Sequence, residues 1–458
     1  MVDMALKKLG VDNEKRLNEL LALQRDIASE QAEYVRRTTN HLGHLPVELF
    51  TDIAMLLIEE DHKQLLPLAH VCRYWRQVVW DHPHLWSTLV LGRSRPQKKA
   101  KLWIERSRGS IRSLIVKSDA TTRGGWDGEG LEGLRWSQLS FCRTEDWDIC
   151  KYLRSTGEIQ SLSSLTHFET DQRSASTPPS LPFDLSWPLQ HLLISHAPIP
   201  PQLQLHLTRT TTLLSLCLQR AVGSVILNLE SHTALQRLVL NQNDGLVLSE
   251  KLPDELPDFQ HMELRHVTRP YLSLLHIAMP RLETLHIDGS PFSLGVAFDS
   301  LRTKSSGHLT KIVLTSTPLS EPEKLVELLR ENPSISHLQL SRIGAGVSLV
   351  VEALEPLTDS PTQASDSADR GAPFLGPMCP LLTHLDISHC PDIRTGPLVR
   401  LIKARNLAGQ SEDGLTAVQT LLVDGCPQID ADWLPWFRAN VQSFSCVAWS
   451  KKMGKVRQ

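Results

Sequence analysis

A six-residue pattern, apolar-x-x-apolar-x-apolar, recurs at a nearly constant interval from Ile111 to Cys446 and restricts the fold more than any other feature. Full copies start at Ile111, Trp136, Leu189, Leu213, Leu235 and Phe259, then at Leu282, Leu309, Ile335, Leu382, Val418 and Val441. A weaker copy starts at Leu162 and has His167 where an apolar residue belongs. Ten of the twelve intervals lie between 22 and 27 residues, a regularity that chance matches to so loose a pattern would not keep. Within each copy the fourth and sixth positions alternate inward like a short strand, and the first anchors the turn into it. One unit cannot bury its apolar face alone, so stacked units must share a continuous core. Residues 321–332 and 396–406 carry apolar side chains at three-to-four spacing, so several segments between strands are expected to be helical. Strand plus helix per unit predicts an α/β solenoid lined by a parallel sheet.

Pattern and period together resemble leucine-rich repeats, which implies a horseshoe with the sheet on its concave side. The third residue after the sixth position fits that resemblance at Asn243, Cys390 and Cys426. Asn or Cys there helps to turn the chain out of the strand. HCPDI (389–393) and GCPQI (425–429) resemble the cysteine-containing class of these repeats, while burial as small apolar groups accounts for both thiols as well. One unit is interrupted by residues 356–373, poor in apolar residues and rich in Ser, Asp, Thr and Pro. A mobile insertion is expected there, with Ser360-Pro361 a candidate phosphorylation site.

Composition narrows the setting. Lys and Arg total 48 against 51 Asp and Glu, a net charge of −3, which gives no reason to expect nucleic acid or an anionic membrane as partner. Eight scattered cysteines are too sparse for a disulfide framework and fit a reducing compartment, cytoplasmic or nuclear. The opening MVDMALKKLG lacks the apolar stretch of a signal peptide, and no run approaches the roughly 18–20 apolar residues that span a bilayer.

Ahead of the repeats (111–450), residues 12–40 contain neither Gly nor Pro. Leu17, Leu20, Gln24, Ile27, Gln31 and Tyr34 step by threes and fours along one stripe, so residues 1–43 are expected to hold an amphipathic helix. Two glutamines and fewer than four heptads favour packing against the next domain over a coiled-coil dimer. Residues 91–110 are basic at Arg93, Arg95, Lys98 and Lys99. A solvated linker running into a short helix at Leu102, Trp103 and Ile104 is expected, with nuclear localisation the alternative role. A basic tail occupies 451–458.

Residues 44–90 form a compact helical segment. Pro46 suits the first turn of a helix, where its missing N–H would be unpaired anyway. Leu49, Ile53 and Leu56 then share one face, and a second helix is expected from Gln64 to Trp80 with Pro67 in its first turn. The segment closely resembles an F-box: Leu45-Pro46 at the start, Glu48-Leu49, Ile53, Leu56 or Leu57, Leu65 and Leu68, Val71-Cys72 with Trp75-Arg76 at the centre, and Leu85-Trp86 at the end. It departs in having Thr51-Asp52 before Ile53, where an apolar or larger residue is usual. The resemblance implies binding to the Skp adaptor of an SCF-type cullin–RING ubiquitin ligase, with the repeats holding a protein target. It further implies that Leu45, Pro46, Leu49, Ile53, Val71, Cys72 and Trp75 shape or make the adaptor interface. Cys72 and Trp75 also read as core residues, and Trp86 as cement between this module and the first repeat.

No Walker-type glycine loop, Gly-x-Gly-x-x-Gly, Gly-x-Ser-x-Gly or CxxC occurs, so catalysis, cofactors and a structural zinc are not expected. His82 and His84 flank Pro83 and read as a loop rather than a metal pair. The third, fifth and seventh strand positions point away from the core and include Arg237, His261, Glu263, Arg265, His286, Asp288, Lys311 and His337. In a parallel sheet equivalent positions sit about 4.8 Å apart, so Glu263 should neighbour His286, and Arg265 should neighbour Asp288. This row reads as a target-binding surface or as a solvated, mutually paired polar face. The sequence is best read as a substrate receptor of an SCF-type ligase; a repeat scaffold without a ligase role is the rival.

Overall fold

The computed structural model describes residues 2–42, 45–60, 62–121, 125–173, 187–196, 212–220, 222–227, 229–242, 244–248, 252–266, 269–305, 307–355, 378–408 and 415–447. Asn243, the interruption at 356–373 and the basic tail lie outside these residues. The chain forms two compact units, one of Met1–Val90, Gln97–Ser113 and Gly130–Arg135, the other of Leu91–Pro96, Leu114–Glu129 and Trp136–Gln458. Among the described residues no helix is long and apolar enough to cross a membrane.

The first unit opens with α1 (Val2–Leu42). The described side chains of this helix, at 15–35, are all exposed, so the stripe from Leu17 to Tyr34 is not packed against the next domain as expected. With no helix breaker from 12 to 40, α1 runs as a rod of about 60 Å at 1.5 Å per residue, twice the width of a small domain. Next come α2 (Val47–Glu60), a 3₁₀ turn at His62–Gln64, α3 (Leu65–Val71) and α4 (Arg73–Asp81). The single helix expected from Gln64 to Trp80 is therefore broken. Cys72 is extended (φ −155°, ψ 174°) and caps α4 by accepting the Trp75 N–H on Sγ at 3.4 Å. Arg76 ties the corner by donating from Nε to the Ala69 carbonyl at 3.1 Å. Phe50, Ala54 and Ile58 of α2 are buried, as are Leu65, Leu68, Ala69, Val78 and Val79 of α3 and α4.

The basic stretch is less of a linker than expected, because α5 (Pro96–Ser107) already begins at Pro96, where proline starts a helix well. Trp103 and Ile104 are buried; Lys99 lies over the Trp103 ring at 4.7 Å and Arg106 over Trp80 at 4.3 Å. Trp86, fully buried, stacks on Trp80 and meets Trp103 edge-on at 4.8 Å. Its indole N–H donates to the Val79 carbonyl at 2.7 Å, so a large apolar ring is buried with its one donor satisfied.

The repeats form strands β1 (Thr88–Leu91), β2 (Ser113–Val116), β3 (Phe141–Glu145), β4 (His167–Asp171), β5 (His191–Ser195), β6 (Ser215–Gln219), β7 (Val222–Leu227) and β8 (Arg237–Asn241). They continue as β9 (Asp244–Leu248), β10 (His261–Arg265), β11 (Thr284–Asp288), β12 (Lys311–Thr315), β13 (His337–Ser341), β14 (His384–Asp386), β15 (Thr420–Leu422) and β16 (Ser443–Ser445). Fourteen strands follow one another in chain order in a long parallel sheet, a solenoid-like α/β arrangement, while β7 and β9 pair separately. Helices cover the segments expected to be helical, at Pro322–Glu331 and Thr395–Ala408.

Wherever the pattern was framed correctly, the strand starts at its third position, and in most strands burial alternates with it: Phe259, Met262 and Leu264 are buried, whereas His261, Glu263 and Arg265 face outward. Val239, Val313 and Asp386, at fifth positions, are buried as well. Two copies are framed three residues too early. The units expected at Trp136 and Leu162 are Leu139-x-x-Cys142-x-Thr144 and Leu165-x-x-Phe168-x-Thr170, and His167 faces outward at a third position instead of filling a core one. Another copy went unseen inside the F-box-like segment: Trp86-x-x-Leu89-x-Leu91 carries β1.

A turn that the apolar pattern does not reveal closes ten of the units. At the eighth position Asp146, His196, Arg220, Gln242, His266, Gly289, Ser316, Arg342, His389 and Gly425 all have positive φ between 49° and 67°, whereas Arg93, Ser118 and Gln172 at the same position do not. This left-handed corner aims each backbone N–H at the next strand's end, as in His196 N–H to Gln219 O at 2.8 Å and Gly289 N–H to Thr315 O at 2.8 Å. Cys390 and Cys426 serve the same corner from the side chain, donating S–H to the carbonyls of Leu340 and Ile387 at 3.0 and 3.1 Å.

Candidate interaction sites

Two surfaces carry residues beyond what their units need for packing. The first lies on the helical module. Because α2 is apolar on two faces, burying Phe50, Ala54 and Ile58 turns Leu49, Ile53 and Leu56 outward, at 53, 47 and 65% exposure. Leu57, Leu66 and Val71 are exposed as well. So many exposed aliphatic residues on one small module exceed the scattered single ones that need no explanation.

The seven residues singled out in the sequence divide in two. Pro46, Leu49, Ile53 and Val71 are exposed and Leu45 is half-buried, with its carbonyl accepting from the Tyr74 hydroxyl at 2.8 Å. Cys72 and Trp75 instead build the framework, Cys72 as the α4 cap and Trp75 by meeting Phe50 edge-on at 4.7 Å. Leu66 was not singled out. With Leu65, Leu68 and Ala69 facing inward, helical periodicity alone would have placed it outside.

The second surface is the outward face of the sheet. Strand pairing sets Glu263 beside His286 and Arg265 beside Asp288, as the period of two required. Glu263 is the electrostatic centre, touching Arg265 Nε with Oε1, 3.6 Å from His261 Nε2 and 3.8 Å from His286 Nδ1. The contact with His261, then the Arg265 and His286 charges, hold its carboxyl down at about 2. Burial pushes the His286 imidazole down. Lys311 pairs in register with His337, whose ring stacks on His384 at 3.9 Å and 5°. Burial first, then His384 and Lys311, push His337 down to about 4.

A hollow of about 340 Å³ opens on this face across β4 to β10. Glu169, Leu193, Cys217, Val239 and Glu263, all fifth positions, line it together with His167 and His191, whose rings stack at 4.1 Å. Of the eight expected residues, Arg237, Glu263 and Arg265 line this hollow and His261 lines a smaller one beside Arg237. His286, Asp288, Lys311 and His337 lie on later strands outside both. Glu169 and His167 were missed because the misplaced frame of β4 assigned His167 to the core. Among the described residues no group of three His, Cys, Asp or Glu side chains could hold a metal ion, and His82 Nδ1 lies 2.9 Å from the Val78 carbonyl.

Residues 42–92 match the family described as F-box-like. No curated protein matches the chain. The matched span contains the whole exposed apolar face of α2 and α3 and runs to the end of β1.

Proposed function

We propose that the chain is the substrate-recognition subunit of an SCF-type cullin–RING ubiquitin ligase. In this reading the module at 44–90 binds a Skp-type adaptor, and through it a cullin, by way of Leu45, Pro46, Leu49, Ile53 and Val71. Cys72 and Trp75 shape that surface from beneath. The repeats at 111–450 are leucine-rich repeats forming a horseshoe, and their concave face holds a target protein in the cytoplasm or nucleus. A receptor of this kind contributes by positioning its target beside an enzyme on another subunit, so it needs no catalytic groups of its own.

The observation that carries this reading is the exposure of Leu49, Ile53 and Leu56 on a helix whose opposite face is fully packed, within the F-box-like match. A few central apolar side chains supply most of the energy of a stable interface, and losing one costs ~2 kcal/mol or more, about thirtyfold in affinity. The test is co-expression of Leu49→Asp/Ile53→Asp with a Skp adaptor, scoring co-purification together with circular dichroism. Loss of the adaptor with an unchanged spectrum is expected; undiminished binding would leave 44–90 without an adaptor role.

A further inference from the structure

We propose that α1 pairs antiparallel with α1 of a second copy of this chain. Five large apolar side chains fall within eleven residues of this helix, and all are open: Leu17, Leu20, Leu21, Leu23 and Ile27 are 42 to 64% exposed. A helix in water draws most of its stability from packing one face, so a rod of 41 residues with this stripe uncovered lacks its partner.

The charges choose which partner. Written as heptads with Leu17 at a, the stripe places Leu20 and Ile27 at d, Leu21 at e and Leu23 at g, with Arg16 and Glu30 both at g. An antiparallel pair sets g against g and e against e. Centred on Ala22, it brings Leu17 against Ile27 of the second copy and Leu20 against Gln24. Leu21 and Leu23 each meet their own counterpart, and Arg16 meets Glu30 twice, once at each end. A parallel pair would instead set g against the following e, placing Arg16 on Leu21 and Glu30 on Val35, charge against apolar surface. Arg16 and Glu30 stand about 21 Å apart along one helix, at 1.5 Å per residue, so they cannot satisfy each other within a chain. The arrangement is self-complementary about a two-fold axis, as a homodimer interface must be.

The full chain, purified without any adaptor, should sediment as a dimer and give twice the chain mass by light scattering. Leu20→Glu/Ile27→Glu should be monomeric and lose helical circular dichroism from α1 alone, while the thermal melt of the strand repeats stays unchanged, since both side chains are exposed. Arg16→Glu and Glu30→Arg should each weaken the dimer about tenfold by setting like charges at both ends, and the double swap should restore it. A wild-type monomer, a dimer that survives the double glutamate variant, or failure of the double swap to restore association would each overturn the proposal. None of these readouts involves the adaptor.

Discussion

Thr144 and Thr170 face each other in the interior of the sheet, Oγ1 to Oγ1 at 3.4 Å, at the sixth position where most other units place Leu, Ile or Val. Both side chains are essentially inaccessible, and Gln172 Nε2 approaches Thr170 Oγ1 at 3.4 Å. Two hydroxyls are tolerated in an apolar core because each supplies the other's partner; stranding one costs about 1–3 kcal/mol. Thr170→Val should therefore destabilise the repeats more than Thr144→Val, because it strands both Thr144 and the Gln172 amide. Urea denaturation should show the double valine variant losing less than the sum of the two single changes.

On the module, core and surface should separate cleanly. Trp75 packs edge-on against Phe50 at the α2–α4 junction, so Trp75→Ala is expected to cost about 3 kcal/mol and to lower the melting temperature. Leu49→Ala removes only exposed surface and should change stability by no more than about 0.5 kcal/mol. Equal losses in a thermal melt would place Leu49 in the core.

The apolar spacing made most strands legible because core packing dictates it. The two framing errors fell where it does not. In Leu139-x-x-Cys142-x-Thr144 and Leu165-x-x-Phe168-x-Thr170 the sixth position is polar, and its compensation is a hydrogen bond to another unit that no local pattern contains. The copy at Trp86 was hidden because the same residues complete the F-box-like match. The break at Cys72 follows from one extended residue inside otherwise continuous helical periodicity, and the apolar face of α2 was legible as a face but not as an uncovered one. Burial depends on which neighbours arrive, and those are distant in sequence.

Acid should weaken the sheet in two steps. An unfolded chain protonates its histidines below about 6.5, whereas His337 in the folded state resists until about 4. The unfolded state therefore binds more protons across that window, and stability falls as pH drops through it. Burial pushes His384, His191 and His167 the same way. Below about 4.5 Glu263 adds its own loss, because its ion pairs persist down to about 2 while the unfolded carboxyl is already protonated. Melts at pH 7 and pH 5 should differ measurably in the wild type and less in His337→Phe. An unchanged difference would remove His337 from the account.

The left-handed corners provide the sharpest test of the repeat geometry. Ser316 holds φ 52° and donates its N–H to the Ser341 carbonyl at 3.0 Å, so the conformation is fixed by the next strand and not by the residue itself. A side chain there costs about 1–2 kcal/mol relative to glycine, most for a β-branched one. Ser316 already bears most of that cost, so Ser316→Val should add only the β-branched excess, about 1 kcal/mol, while Ser316→Gly trades relief of strain against a more flexible unfolded chain and stays within about 1 kcal/mol. Gly425, at φ 67°, meets a second constraint, since a Cβ there would collide with the ring of His389, the same position one unit earlier. Gly425→Ala should thus cost more than backbone strain alone, and adding His389→Ala should recover the excess. Denaturation curves of the three variants decide it: no recovery in the double variant would mean that the corner, and not the ring stacked on it, demands glycine.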